Sequence, residues 1–182
     1  AEDGPSLTKV ITEHYNPIIQ RIRNIEKPIV CAVNGVAAGA GANIALACDI
    51  TVAAESSSFI QAFSKIGLIP DSGGTFFLPR IIGRQMATAL MMLGDKISAA
   101  DADKMGMIYK SSPDENFADE ALAIASRLSK MPTVGLGLTK RALNKSLTND
   151  LDMQLAVEDL LQTAASNTED YKEGVQAFLE KR

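Results

Sequence analysis

The sequence predicts an α/β fold in which a strand-and-helix half is followed by an almost wholly helical half. Pro28–Val33 is an apolar run bounded by proline and Asn-Gly, which is typical of a strand buried on both faces. Beyond residue 84, apolar residues recur at helical spacing in one segment after another. No repeat or long Pro/Gly linker separates the halves, so we expect residues 1–110 and 111–182 to form one folding unit.

The first half should begin with an amphipathic helix over Leu7–Ile25, kinked where proline interrupts it at Asn16-Pro17. After the strand at Pro28–Val33, the glycine-rich turn of residues 35–41 leads into a short helix, and Asp49–Ala54 predicts a second strand.

The second half should contain a helix that starts with a capping box at Ser98–Asp101, a short strand at Met107–Lys110, and four further helices. We place those helices at 118–128, 135–147, 151–164 and 171–180. Only about three strands are convincing, fewer than a buried sheet usually needs. We therefore expect strands to be missing from the front.

The composition is that of a globular protein, with 46% hydrophobic and 22% charged residues. The net charge is −4, from 18 basic and 22 acidic residues. It indicates no positive electrostatic field that would attract nucleic acid or an anionic membrane surface. No apolar run approaches the roughly 20 residues of a membrane span, and no signal sequence opens the chain. We interpret Cys31 and Cys48 as small buried hydrophobes of a reducing cytoplasm, with no metal site; a disulfide or metal role is the alternative.

Two turns could carry chemistry. Glycines at 35, 39 and 41 let the backbone approach a ligand and point N–H groups at it, with the next helix adding a positive dipole. Close packing of a helix on a strand would explain the same glycines. In the second turn, Asp71 stands before a Gly-Gly helix start, where it could be a helix N-cap or an acid/base.

These segments resemble the enoyl-CoA hydratase/isomerase, or crotonase, superfamily. The resemblance rests on Pro28–Ala54, on Ile66–Thr75 with the following Leu-Pro-Arg and Gly-Arg, and on the closing segment Tyr171–Arg182. It implies a ββα spiral with a C-terminal helical trimerisation region, assembled as a homo-trimer or a dimer of trimers. It also implies front strands and a first oxyanion donor that this chain lacks, so we expect residues 1–182 alone to be inactive.

The resemblance also implies roles for individual residues. The N–H of Ala40, between Gly39 and Gly41, should bind the thioester oxygen, because preorganised donors stabilise an enolate. Hydratases of the superfamily carry two glutamates that align here with Asn43 and Phe63, and neither can take a proton from water. Hydration is therefore not expected.

Asp71 remains as the acid/base that isomerases of the superfamily carry at this position. Partial burial beside Phe63 and Ile69 would favour its protonated form. Phe63 could also line an aromatic acyl pocket, and Asn43 could contact substrate. Lys181 aligns with a lysine that can reach a neighbouring subunit's coenzyme A phosphate. Because coenzyme A is part of the substrate, no separate cofactor is expected.

Within the superfamily, three segments are most similar to the isomerases of ring 1,2-epoxyphenylacetyl-CoA in phenylacetate breakdown: Cys31–Ala42, Ala62–Asp71 and Gly135–Leu138. This predicts conversion of the ring epoxide to an oxepin thioester. Three alternatives stay open: a Δ3,Δ2-enoyl-CoA isomerase of fatty-acid oxidation, an enoyl-CoA hydratase, and a non-catalytic scaffold that binds coenzyme A.

Overall fold

A computed structural model of the chain describes residues 6–182. These residues form two compact units, which are described separately. The first contains the chain up to Arg23 together with Ile29–Ile124, and the second contains Asn24–Pro28 and Ala125–Arg182. The sequence-based division at residue 110, and the single folding unit, stay predictions.

The first unit begins with a helix whose middle turn is widened. Helix α1 (Leu7–Val10) continues through a π-helical turn, Ile11–Tyr15, into helix α2 (Asn16–Asn24). Because this helical segment is continuous, Pro17 lies inside it, and its missing N–H removes one main-chain hydrogen bond from the segment. The kink expected at Asn16-Pro17 stays a prediction, and the irregularity of this helix is a π-helical turn that ends at Tyr15, just before that pair.

Six strands of the described chain form two three-stranded sheets. In chain order they are β1 (Val30–Val33), β2 (Val36–Ala38), β3 (Ile50–Ala54), β4 (Ser58–Ile60), β5 (Lys96–Ser98) and β6 (Lys110–Ser112). One sheet has the parallel order β1-β3-β6. The other has the order β2-β4-β5, with β2 parallel and β5 antiparallel to β4.

The expectation of about three strands is wrong, because three short strands were missed. The missed strands β2, β4 and β5 have three residues each, too few to show the alternation that identifies a strand. The strand predicted at Met107–Lys110 begins only at Lys110. Met107 and Ile108 are apolar because they are buried in the core, not because they pair.

The helices and turns that follow the first strands fill the rest of the chain. They are α3 (Ala40–Ala47), a 3₁₀ turn at Ala62–Ile66, α4 (Gly74–Ile82), α5 (Arg84–Leu93), α6 (Ala99–Lys104), α7 (Asp114–Ser129), α8 (Thr133–Ser146), α9 (Leu151–Ser166) and α10 (Glu169–Glu180). The predicted cap of α6 is confirmed, since the Asp101 N–H donates to Ser98 Oγ at 3.0 Å.

Small residues let α3 approach the rest of the core closely. Ala42, Ala45 and Ala47 are buried, and α3 packs beside β2 and α4. Around them lie Phe59 and Leu78, the largest apolar side chains that are fully buried in the described chain. Close packing fixes α3, and therefore fixes the N-terminal turn that carries Ala40.

In the second unit, helix α8 packs directly against the main chain of the segment Asn24–Pro28. A β-carbon added at Gly137 would lie 2.5 Å from the carbonyl oxygen of Glu26. Lys140 is buried and its Nζ donates to the carbonyl oxygen of Lys27 at 3.1 Å. A groove of about 930 Å³ between α8 and α9 is lined mainly by apolar side chains.

Candidate active site

Gly39 shapes the turn that starts α3. It is the N-cap residue of that helix, with φ 54° and ψ −120°, a conformation that essentially only glycine adopts. Its N–H donates to the carbonyl oxygen of Ile60 at 2.8 Å, and a β-carbon there would lie 3.5 Å from the ring of Phe63. The glycine is thus required by the backbone, and Phe63 packs against its open face.

Ala40 is the first residue of α3, so its N–H has no partner within the helix. Among residues 6–182, no other group accepts a hydrogen bond from it. The helix adds its positive end at the same place. Space for a β-carbon is open at Gly41, the next residue. The predicted oxyanion donor is therefore available for a ligand oxygen.

Asp71 begins a tight turn that leads into α4. The N–H of Gly74 donates to the carbonyl oxygen of Asp71 at 2.9 Å, and the two residues between them have positive φ, 52° at Ser72 and 77° at Gly73. This is the pattern of a type I′ turn. For a non-glycine residue such as Ser72, this conformation costs on the order of 1–3 kcal/mol, so the surroundings must hold it.

The carboxyl group of Asp71 does not cap α4, so the N-cap interpretation is wrong. The N-cap residue is Gly73, and no side chain makes the capping hydrogen bond. Instead, Ser72 Oγ donates to Asp71 Oδ1 at 2.9 Å. No other hydrogen bond to this carboxyl group is formed by residues 6–182, which leaves Oδ2 available to exchange a proton with a ligand.

Asn43 joins the two turns from the inside of the molecule. Its Nδ2 donates to the carbonyl oxygen of Asp71 at 2.9 Å, and its Oδ1 accepts from Nε2 of Gln61 at 2.7 Å. The side chain is fully buried, and a β-carbon at Gly74 would lie 2.4 Å from its Nδ2. This burial favours a supporting position for Asn43 over direct substrate contact.

The remaining predicted residues have different surroundings. Phe63 is buried in the 3₁₀ turn, whereas Ile69 is 80% exposed. Asp71 is itself partly buried, as expected, but the loop places the side chain of Ile69 in solvent. Lys181 ends α10 in the second unit, exposed and with φ 56°. Its contact with coenzyme A stays a prediction.

Two residues of this site, Ser72 and Gln61, were not predicted from the sequence. Ser72 could have been noticed, because a hydroxyl next to a candidate acid/base can reach its carboxylate. Gln61 gave no signal, since it lies 18 positions from Asn43 and stands just after a short strand that was itself missed.

Neither Cys31 nor Cys48 forms a disulfide within residues 6–182, and both are partly buried. A hydrogen bond from Cys48 lowers the pKa of the Cys31 thiol, and burial opposes this by raising it. Among residues 6–182, no group of three or more His, Cys, Asp or Glu side chains could hold a metal ion. Within the same residues, each helix is too short or too polar to cross a bilayer.

Comparison with known proteins identifies relatives over the whole chain. The family model described as "Enoyl-CoA hydratase/isomerase" matches residues 1–182. The chain is 51% identical over 179 residues to "1,2-epoxyphenylacetyl-CoA isomerase" of Escherichia coli K12, covering 98% of this chain and 68% of the relative. It is 44% identical over 182 residues to a protein of Rhodobacter capsulatus named "Probable enoyl-CoA hydratase", covering 100% and 71%.

Solved structures have the same fold. An enoyl-CoA hydratase from Polaromonas sp. JS666 superposes with a TM-score of 0.92 at 35% identity, covering 100% of this chain and 70% of that one. An enoyl-CoA hydratase from Bacillus anthracis gives 0.92 at 31% identity, covering 98% and 70%. The crotonase-like α/β fold is thus confirmed.

Proposed function

The chain belongs to the enoyl-CoA hydratase/isomerase family, and from that membership we propose that the protein isomerises a coenzyme A thioester with Asp71 as its acid/base. One observation carries the proposal. The carboxyl group of Asp71 is held by Ser72 at one oxygen, is not used as a helix cap, and keeps its other oxygen available.

The reaction needs a stabilised enolate and a single proton carrier. In our proposal the N–H of Ala40 donates to the thioester oxygen, which becomes negative as a proton leaves the acyl chain. Asp71 takes that proton and returns one to another carbon, so the composition of the substrate does not change. With a ring epoxide as substrate, the bond between the two epoxide carbons also opens, and its electron pair becomes part of the double bonds of the seven-membered ring. Ser72 holds Oδ1 throughout, which orients Oδ2 towards the acyl group.

We propose ring 1,2-epoxyphenylacetyl-CoA as the substrate and an oxepin thioester as the product, in phenylacetate breakdown in the cytoplasm. The name of the relative that is 51% identical supports this choice. The aromatic side chain of Phe63, packed against the turn that carries Ala40, supports an aromatic acyl group. Coenzyme A would enter as part of the substrate, without a further cofactor.

Hydration is the alternative that the names of other relatives support. Two features of the site oppose it. Asn43 is fully buried with both ends of its amide bonded, and Phe63 is apolar, so neither can take a proton from water. A Δ3,Δ2-enoyl-CoA isomerase would use the same Asp71 and differ only in the acyl group.

We further propose assembly as a trimer or a dimer of trimers. Apolar side chains lie exposed on the helices, among them Leu151 at 72% and Phe178 at 84%. Other apolar residues of the helices are not available in this way, since Leu161 is buried, and Leu90 and Met91 are partly buried. Exposure of large apolar side chains on neighbouring helices supports their burial between subunits.

The test is a rate comparison with three thioesters, using protein purified from its natural full-length gene. We expect turnover of ring 1,2-epoxyphenylacetyl-CoA, slower turnover of a cis-3-enoyl-CoA and little hydration of crotonyl-CoA. Faster turnover of the cis-3-enoyl-CoA would replace the substrate but keep Asp71. Hydration of crotonyl-CoA as the fastest reaction would overturn the proposal.

A further inference from the structure

We propose that Asn43 and Gln61 are positioning residues, which act by holding the Asp71–Gly74 turn so that the Asp71 carboxyl group faces the substrate. The inference rests on the proposed function, because it assigns the two amides to the same acid/base. It is carried by two linked hydrogen bonds: a buried one from Gln61 to Asn43, and a partly buried one from Asn43 to the main-chain carbonyl of Asp71.

The Asp71 carbonyl group fixes which atom donates and which accepts in both hydrogen bonds. The carbonyl oxygen of Asp71 can only accept, so Asn43 must turn its Nδ2 towards it. Asn43 then presents Oδ1 on its other side, and Gln61 must turn its Nε2 towards that oxygen. Reversing either amide would set two oxygen atoms against each other.

The Asp71–Gly74 turn, where these hydrogen bonds end, has a strained backbone. Its carbonyl at Asp71 accepts two hydrogen bonds, one from the Gly74 N–H within the turn and one from Asn43. Ser72, with φ 52°, lies between these two fixed points and carries the hydroxyl that orients Asp71 Oδ1. A positive φ at a non-glycine residue persists only where neighbours hold it, and Asn43 is such a neighbour.

Burial argues that these amides have a specific task. Asn43 and Gln61 are 0% and 1% exposed, and Oε1 of Gln61 is buried with no donor among the described residues. An unpaired buried oxygen costs free energy. If these positions served only to fill the core, apolar side chains of similar size would give the more stable protein. The donor end of Gln61, bonded to Asn43, gives the reason for an amide here.

The first test is Asn43→Asp, which is nearly isosteric. When ionised, its carboxyl group can still accept from Gln61 Nε2 but has no donor for the carbonyl oxygen of Asp71. Burial favours the protonated form, whose O–H could still donate to that oxygen, so the rate is measured up to a pH at which the new carboxyl group is ionised. We expect kcat for the thioester that the protein turns over to fall about tenfold to a hundredfold, the usual effect of a misplaced reacting group. KM should change less than about threefold, because neither amide is proposed to bind substrate.

Gln61→Glu tests the same chain one step further from Asp71. When ionised, its carboxyl group has no donor for Asn43 Oδ1, so the Asn43 amide should reverse and release the Asp71 carbonyl. This variant is measured over the same pH range, because the protonated form could still donate its O–H to Asn43 Oδ1. We expect kcat to fall again, by somewhat less than in Asn43→Asp. This second variant keeps the test informative if Asn43→Asp does not fold.

Thr51→Val is the matched control, because it also removes a buried hydrogen bond to α3. Thr51 Oγ1 donates to the carbonyl oxygen of Ala45 at 2.7 Å, in the same helix as Asn43 but without reaching the Asp71 turn. This variant should lower the melting temperature and leave kcat unchanged. A similar fall in kcat for Thr51→Val would show that loss of core stability is sufficient, and would overturn the inference.

A double variant separates this inference from the proposed function. If Asn43 acts through Asp71, adding Asn43→Asp to Asp71→Asn should not lower the residual turnover further. A further fall would overturn the positioning role. Full activity of Asp71→Asn would overturn the proposed function instead. In that case faster amide exchange of the Gly74 N–H in Asn43→Asp still tests whether the amides hold the turn, and unchanged exchange would refute it.

Discussion

The side-chain amide of Asn43 donates a 2.9 Å hydrogen bond to the main-chain carbonyl oxygen of Asp71, 28 positions further along the chain. The bond joins the helix that begins at Ala40 to the turn that carries the candidate acid/base. The two proposed elements of catalysis, a thioester-binding N–H and a proton carrier, are therefore tied together by a residue that contacts neither the thioester nor the proton in our proposal.

The first prediction concerns Asp71→Asn. The amide keeps the size of the side chain, and its oxygen can still accept from Ser72 Oγ, so the turn should be retained. It cannot accept and return a proton, so turnover should fall by at least about a hundredfold. Steady-state rates and coenzyme A binding should be measured together, with binding expected to remain.

Asp119→Asn is the control for this change in charge. Asp119 is exposed on α7, so its variant should keep the turnover of the parent protein. Near-normal turnover of Asp71→Asn would remove Asp71 from the mechanism and leave the protein without a proposed acid/base.

The second prediction is that Asn43→Glu does not create a useful hydratase. The longer side chain would enter a fully buried space beside Gly74 and would lose the N–H bonded to the Asp71 carbonyl. The second carboxylate expected of a hydratase would still be missing at Phe63. Hydration of crotonyl-CoA should stay near background, and efficient hydration would show that one glutamate suffices.

The third prediction compares two glycines of α8. Gly137→Ala should destabilise the protein by about 1–3 kcal/mol, the usual range for overpacking, because the new β-carbon would lie 2.5 Å from the Glu26 carbonyl oxygen. At Gly135 the nearest atom would be 4.0 Å away, so Gly135→Ala should stabilise the helix by about 0.5–1 kcal/mol. Thermal melting of both variants measures the difference, and equal shifts would contradict the close contact.

The fourth prediction is the oligomeric state. The exposed apolar side chains of α9 and α10 should be covered by other subunits, giving a trimer or hexamer in light scattering at micromolar concentration. Leu151→Lys and Phe178→Lys should weaken assembly, because each would bury an unpaired charge. Thr163→Lys is the control, because it adds the same charge to α9 at a residue that is already polar. A clean monomer of the parent protein would contradict this prediction.

Local patterns predicted the longer elements. Strands β1 and β3, the helices from α7 to α10 and the Ser98 cap were all anticipated, because each has an apolar run, a period or a terminal residue that can be recognised within a few positions. The parallel pairing of β1 with β3 was not predicted. The short strands β2, β4 and β5 were not. A strand of three residues is too short to show a hydrophobic alternation, and its pairing depends on residues that are distant in sequence.

By itself the sequence determined the family, the α/β class and the identity of the candidate groups at Ala40 and Asp71. Only the tertiary structure decided how those groups are held. It separated Asp71 from the cap of α4, assigned Ser72 to its carboxyl group, and turned Asn43 inward to the Asp71 carbonyl. These outcomes depend on hydrogen bonds whose direction is fixed by the buried surroundings, and a bond between residues 28 positions apart leaves no trace in local spacing.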